Sequence, residues 1–145
     1  MILDTNALSA FIDGEPAVGV RLSAESQVAI PVIVLGEFRY GISGSRYRDK
    51  YERWLADHLS DFQILTVTES TTFTYARVRA SLKKLGRPVP ANDAWIAALA
   101  LQYRLAVMSR DEHFDAVPGP TSGGMVGAPP DHGAIWGADP YHPAT

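Results

Sequence analysis

The sequence predicts an α/β domain of three layers over residues 1–119, with helices on both faces of a mostly parallel sheet of four or five strands. Three observations carry that prediction. Short apolar runs alternate with stretches of helical spacing along residues 1–118, the pattern that winds a parallel sheet between helices. The first run, Met1-Ile2-Leu3, is apolar at every position, as a central strand buried by two helical layers must be. It ends on a carboxylate, Asp4, and open α/β sheets place their ligands at the carboxyl ends of their strands.

Taken in order, Ala7 to Ile12 reads as the helix returning across the sheet. Asp13-Gly14-Glu15-Pro16 is a turn, with Pro16 at the first position of a helix reaching about Ser26. Gln27 to Ile30 is a second strand, broken by Pro31, and Val32 to Gly41 continues as a helix. Within it Glu37 has Ile33 and Val34 behind and Tyr40 ahead, so helical spacing puts it on the apolar stripe. Gly41 to Ser45 is a link. Arg46 to Leu59 then repeats Tyr47, Tyr51, Trp54, Leu55 and Leu59 at the spacing of an amphipathic helix.

Gln63-Ile64-Leu65 is a third strand, and Thr66-Val67-Thr68-Glu69 fits a capping box opening a long helix. That helix closes through Lys83, Lys84, Gly86 and Pro88, the cation, glycine and proline order of a C-terminus. Pro90-Ala91-Asn92-Asp93 opens the next helix with Asn92 as its N-cap, and Asp93 shares the face of Ile96, Ala97, Ala100 and Leu101. Leu105 to Met108 is a fourth strand, followed by Ser109-Arg110-Asp111, and Phe114 to Val117 adds a short edge strand. From Gly119 onward 6 glycines and 5 prolines fall in 27 residues without a lysine or arginine. Residues 120–145 therefore read as an irregular Gly/Pro-rich tail that cannot bury enough surface to order itself.

Composition narrows the chemistry. At 145 residues and 46% hydrophobic the chain suits one domain with a real core. No run approaches the roughly 20 apolar residues of a membrane span, and no signal peptide precedes Asp4, so a soluble cytoplasmic protein without membrane contact is expected. Without cysteine there is no thiolate ligand, nucleophile or disulfide, and any metal must be held by oxygen or imidazole. A net charge of −3 gives no global pull towards nucleic acid, although Arg39, Arg46, Arg48, Lys50 and Arg53 crowd one stretch. The four histidines, His58, His113, His132 and His142, lack metal-ligand spacing and read as surface residues.

Four acids, Asp4, Glu37, Asp93 and Asp111, each sit beside an apolar run. Singly each has a structural explanation: Asp4 caps a helix, Asp93 meets a helix dipole, and Asp111 is a turn residue. Glu37 resists such an explanation, because a carboxylate inside an apolar helix face needs a partner. In a parallel sheet, strand ends and the starts of the following helices face one edge, so these acids can converge. Carboxylates brought to about 4 Å repel by about 1 to 4 kcal/mol per pair, and a hard divalent cation such as Mg²⁺ or Mn²⁺ removes that cost. Such a site suits phosphodiester hydrolysis by water activated on a cation, leaving a 5′-phosphate and a 3′-OH. Asp115 is a candidate fifth acid, and Thr5, Asn6 and Ser109 are able to orient ligands or water, although capping and turn roles are the simpler reading of all three.

The stretches Leu3-Asp4-Thr5-Asn6, Leu35-Gly36-Glu37-Phe38-Arg39-Tyr40-Gly41, Asn92-Asp93-Ala94-Trp95-Ile96-Ala97-Ala98 and Ser109-Arg110-Asp111-Glu112-His113-Phe114 together resemble the PIN-domain nucleases, in particular the VapC toxins of type II toxin-antitoxin systems. The resemblance covers residues 1 to about 119. It implies a PIN-like fold and an Mg²⁺- or Mn²⁺-dependent endoribonuclease, with tRNA or ribosomal RNA favoured as substrate, inhibited by a VapB-type antitoxin and dimeric. Carried over by position, Asp4, Asp93 and Asp111 hold the metal and Glu37 orients a water or binds a second cation. The aromatic face with Tyr51 and Trp54 is then either a groove wall for the antitoxin or plain core. Ser109 stands where the family usually has threonine, and the tail has no family counterpart. A haloacid-dehalogenase-like phosphotransferase would need a second aspartate where this chain has Asn6, and a response-regulator receiver would need paired early acids. The remaining alternative is a catalytically silent PIN-like module that binds RNA or a partner.

Overall fold

A computed structural model describes residues 1–109. The elements are β1 (Ile2–Leu3), α1 (Thr5–Ile12), α2 (Pro16–Ser23), β2 (Ala29–Pro31), α3 (Val32–Ile42), α4 (Arg48–His58), a 3₁₀ turn (Leu59–Asp61), β3 (Gln63–Leu65), α5 (Glu69–Lys84), α6 (Ala91–Tyr103) and β4 (Val107–Met108). The strands lie in the order β3-β2-β1-β4, and every pairing is parallel. The expected α/β architecture is therefore present, with four strands among the described residues. The strand expected at Phe114–Val117, Asp111, Asp115 and the 120–145 tail lie outside the described residues.

β1 occupies an interior position in the sheet, as its unbroken apolarity requires. It pairs with β2 on one side and β4 on the other, through bonds such as Ala29 N to Met1 O (2.8 Å) and Ile2 N to Ala106 O (2.7 Å). The chain builds the sheet outward from β1 to β2 and β3, then crosses back to lay β4 on the other flank. The order of the strands thus reverses between β1 and β4. In an open parallel sheet the crevice at such a reversal, at the carboxyl ends, is where ligands bind. Asp4 follows β1 there and Ser109 follows β4.

One continuous core joins the sheet to the helices: Ile2, Leu3, Ile30, Leu65 and Met108 from the strands, with Leu8, Val18, Val34, Leu55, Leu82, Ile96 and Leu99 from the helices. Each such side chain contributes about 1.5–3 kcal/mol of burial. α5 and α6 form an antiparallel hairpin fixed by side chains as well as by packing. Thr71 Oγ1 donates to Gln102 Oε1 at 2.7 Å, and Tyr75 stacks on Trp95 at 3.7 Å.

Some local expectations shift. Pro31 is the last residue of β2 rather than its breaker, since a strand end has no need of the N–H that proline lacks. The cap of α5 is Thr68, whose N–H donates to Thr71 Oγ1 at 3.0 Å, so the box lies two residues later than the Thr66 to Glu69 spacing suggested. α5 ends as expected, with Gly86 at φ 67 and Arg87 N donating to Leu82 O at 2.9 Å. α6 begins at Ala91 with Pro90 as its cap, which leaves Asn92 inside the first turn rather than capping it. Tyr40 is 82% exposed and does not continue the buried stripe of α3, which runs through Val34, Leu35, Phe38 and Ile42.

Candidate metal centre at the carboxyl edge of the sheet

Asp4 is the anchor of the site and is 4% exposed. Its extended backbone ends β1, and its Oδ1 accepts from Ala7 N at 2.8 Å, so the expected capping role is real. Its Oδ2 accepts a short hydrogen bond from Ser109 Oγ, which ties the ends of β1 and β4 together across the reversal point. The hydroxyl kept at position 109 therefore fixes a carboxylate in place. Capping and site-lining coexist because a carboxylate has about four acceptor positions.

A cleft of about 450 Å³ opens beside Asp4. Thr5 and Asn6 from the first turn of α1, Glu37 from the middle of α3, and Asn92 and Asp93 from the first turn of α6 line it, with Pro90, Ala91 and Ile96 closing the wall. The structure thus brings together three of the four sequence-predicted acids on three different elements. Asp111 and Asp115 lie outside the described residues. Asn92 was read from sequence as a cap, but it lines the cleft instead; Pro90 taking the cap position is the local signal that frees it.

The carboxyl of Glu37 is perturbed by this setting. Burial pushes its carboxyl above the usual range, the charges of Asp93 and Asp4 push the same way, and the Thr5 hydroxyl and Asn92 amide partly oppose them. None of the described residues lining the cleft is a lysine, arginine or histidine. Two buried oxygens in this cleft, Glu37 Oε1 and Thr5 Oγ1, lack a well-formed hydrogen bond to the protein. Buried polar atoms are rarely left so, and those left are commonly explained by a bound ion or water. A lining whose charged side chains are all carboxylates, with two buried oxygens lacking a well-formed hydrogen bond, fits a hard divalent cation that keeps several of its waters. Among the described residues, no three acidic or imidazole side chains close up into a complete metal cluster.

The sheet's other edge carries a different cleft, of about 640 Å³, beside the amino ends of β2 and β3. Phe11, Trp54 and Phe62 line it with edge-to-face and tilted ring contacts at 5.8 to 6.2 Å, and His58 lies against Trp54 at 4.6 Å. Trp54 packs against the core and lines this cleft, at the edge opposite the acids rather than beside them. Tyr51 turns elsewhere, packing on Phe38 and donating to Asp13 Oδ1 at 2.9 Å. The basic stretch around α4 is interleaved with acids, and Arg39 pairs with Glu52 at 3.3 Å.

The PIN domain family model matches residues 1–120 of the chain. The chain is 32% identical to Ribonuclease VapC5 of Mycobacterium tuberculosis, over 83% of this chain and 90% of that protein. It is 31% identical to Toxin FitB of Neisseria gonorrhoeae, over 77% of this chain and 87% of the toxin. In three dimensions it is similar to VapBC2 from Rickettsia felis, solved bound to a DNA fragment from its promoter, with a TM-score of 0.71, 28% identity and coverage of 81% and 92% of the two chains. No described helix is long and apolar enough to cross a membrane. Acids gathered at the reversal point of a 3-2-1-4 parallel sheet, in a chain matched by the PIN model over most of its length, place the chain in the PIN-domain family, among the VapC ribonucleases.

Proposed function

We propose that this chain is the toxin of a toxin-antitoxin pair and hydrolyses RNA phosphodiester bonds with the help of Mg²⁺ or Mn²⁺. The observation that carries the reading is the acid cleft, in which Glu37 Oε1 is buried without a well-formed hydrogen bond, inside a fold whose relatives are named ribonucleases. In this reading Asp4 and Asp93 hold the cation, Asp111 joins them, and Asp115 is a further candidate ligand. The cation, when bound, supplies a polarised phosphoryl oxygen and a lowered pKa for the attacking water.

The chain's own residues do the positioning. Ala7 N and Ser109 Oγ hold both oxygens of Asp4 in one orientation, so the carboxylate meets its ligand without reorganising. Glu37 orients the attacking water on the α3 side, where Thr5 and Asn92 set the position of its carboxyl group. Asn6, exposed at the mouth, faces the substrate. Partners follow from the relatives: the solved neighbours are VapBC assemblies, and a VapB-type antitoxin is the inhibitor proposed here, with the toxin itself a homodimer.

The test is cleavage of a labelled total-RNA pool by purified, partner-free protein with Mg²⁺, with Mn²⁺ and with EDTA. Discrete fragments that require metal, carry 5′-phosphates, and vanish with Asp93→Asn are expected. Fragments ending in 2′,3′-cyclic phosphate would rule out attack by water. No cleavage by folded, metal-loaded protein would leave the silent binding module in its place.

A further inference from the structure

The helix and loop that lead into the acid cleft are rich in cations and, after Glu69, contain no acid of their own before Asp93. Arg77, Arg79, Lys83, Lys84 and Arg87 fall within eleven positions. That is five of the thirteen lysines and arginines in a chain of net charge −3. Arg79, Lys83, Lys84 and Arg87 are exposed, and no ion pair joins these four to a carboxylate among the described residues. The run around α4 differs in that Asp49, Glu52 and Asp57 are interleaved with its cations.

Geometry gives the charge a direction. Tyr75, Arg79 and Lys83 recur every four residues, so they form one stripe along α5. At one end of it Tyr75 is stacked on Trp95, and its hydroxyl accepts from Arg79 Nη1 at 3.0 Å, which holds the guanidinium on the stripe. At the other end Arg79 and Lys83 line a cleft of about 440 Å³ whose far wall is Pro88 and Val89. The next residues along that wall, Pro90 and Ala91, line the acid cleft. The antiparallel pairing of α5 with α6 therefore sets the basic end of α5 beside the turn that bears Asp93. Cations in the last turn of a helix also favour its dipole, but that accounts for Lys83 and Lys84 alone.

We infer that this basic cleft is the track along which a single-stranded RNA runs to or from the acid cleft, with Arg79 and Lys83 contacting the phosphates that flank the scissile bond. The inference rests on the nuclease reading above. A polyanion is the partner that a stripe of cations without acids fits, and a groove walled by proline, valine and an aliphatic helix face offers no hydrogen-bond pattern to read bases. The track therefore supplies affinity and register rather than sequence choice.

The test measures binding apart from cleavage. A fluorescein-labelled 20-nucleotide RNA of mixed sequence is titrated with the full chain in EDTA across a salt series, using the wild type, Arg79→Ala with Lys83→Ala, and Arg48→Ala with Arg53→Ala. The first pair should weaken Kd roughly tenfold and lower the slope of log K against log salt by about 1.4, the value for two lost phosphate contacts on a single strand. Arg79→Lys with Lys83→Arg should restore both, and the α4 pair should change neither. Equal effects from both alanine pairs, or none from either, overturn the track. Absence of metal-dependent cleavage together with the expected binding pattern would sink the nuclease reading and leave the track standing, whereas normal cleavage with unchanged binding would do the reverse.

Discussion

The two edges of the sheet carry two clefts of contrasting chemistry, the aromatic one the larger. At the carboxyl edge, the acid cleft holds two buried oxygens without a well-formed hydrogen bond, Glu37 Oε1 and Thr5 Oγ1, and Glu37 is raised by burial and by neighbouring negative charge. At the amino edge, the aromatic cleft is built of Phe11, Trp54 and Phe62, whose rings satisfy one another. The first is electrostatically incomplete and the second is not. Incomplete groups are those that a ligand improves, so the proposed chemistry is assigned to the first edge and packing to the second.

Substitutions that separate charge from shape sharpen this contrast most. Asp4→Asn keeps an oxygen that caps Ala7 N and turns an amide N–H, rather than an acceptor, towards Ser109 Oγ, and it removes the negative charge. We expect cleavage to fall by more than about a hundredfold, beyond the 10–100-fold of a residue that only orients a ligand. Its melting temperature in EDTA should stay near that of the wild type, whereas Asp4→Ala loses the cap too and costs about 1 kcal/mol or more. A variant that is stable, Asn-capped and fully active would erase the distinction between the edges.

The opposite edge should respond the other way. Trp54→Ala empties a half-buried ring contact and should cost about 2–3 kcal/mol, short of the about 3–5 kcal/mol of a fully buried aromatic. Cleavage per folded molecule, taken from a denaturant titration beside the activity assay, should not change.

Glu37 gives a pH test of the incomplete site. Because its folded-state pKa lies above the ordinary value of 4.5, the native state holds its proton more tightly than the unfolded chain does. The stability this contributes is fully present below about pH 4.5 and is lost as pH rises through the raised folded value. In EDTA, Glu37→Gln should therefore gain melting temperature relative to wild type as pH rises from 4 to 7, and Mg²⁺ should close the gap by favouring the charged wild-type carboxylate. A gap that does not depend on pH would mean that Glu37 is not strained by its surroundings. The smallest expected effect lies away from both clefts: Gly86→Ala, at φ 67 with open space around it, should cost about 1 kcal/mol from backbone conformation alone, read by chemical denaturation.

Much of this was legible in the order of residues. β1 had to be central because no position in Met1-Ile2-Leu3 tolerates water, and Asp4 had to end it because a carboxylate cannot continue a buried strand. Lys83, Lys84 and Gly86 marked the end of α5 because cations and a left-handed residue are what a helix C-terminus favours. Local rules failed at two helix starts. The Thr66 to Glu69 box and Asn92 are the caps that local pattern predicts, but the helices start from Thr68 and Pro90; the register of the helix decided, and register is set by which face must meet the core. Tyr40 likewise continued a pattern of spacing but not a buried surface, since no described residue covers that side of α3.

By itself the sequence determined which residues are acids, where strands stop and that no sulfur chemistry is available, because these depend on residue type and near neighbours. The tertiary structure alone decided that Asp4 and Ser109, over a hundred positions apart in the chain, share a hydrogen bond, that Asn92 faces Glu37, and that the cations of α5 adjoin the turn bearing Asp93. It also separated Trp54 from the acids by the height of the sheet. Each of these is a consequence of the crossover that places β4 beside β1, a long-range pairing whose cost in loop entropy is offset only once the whole core has formed.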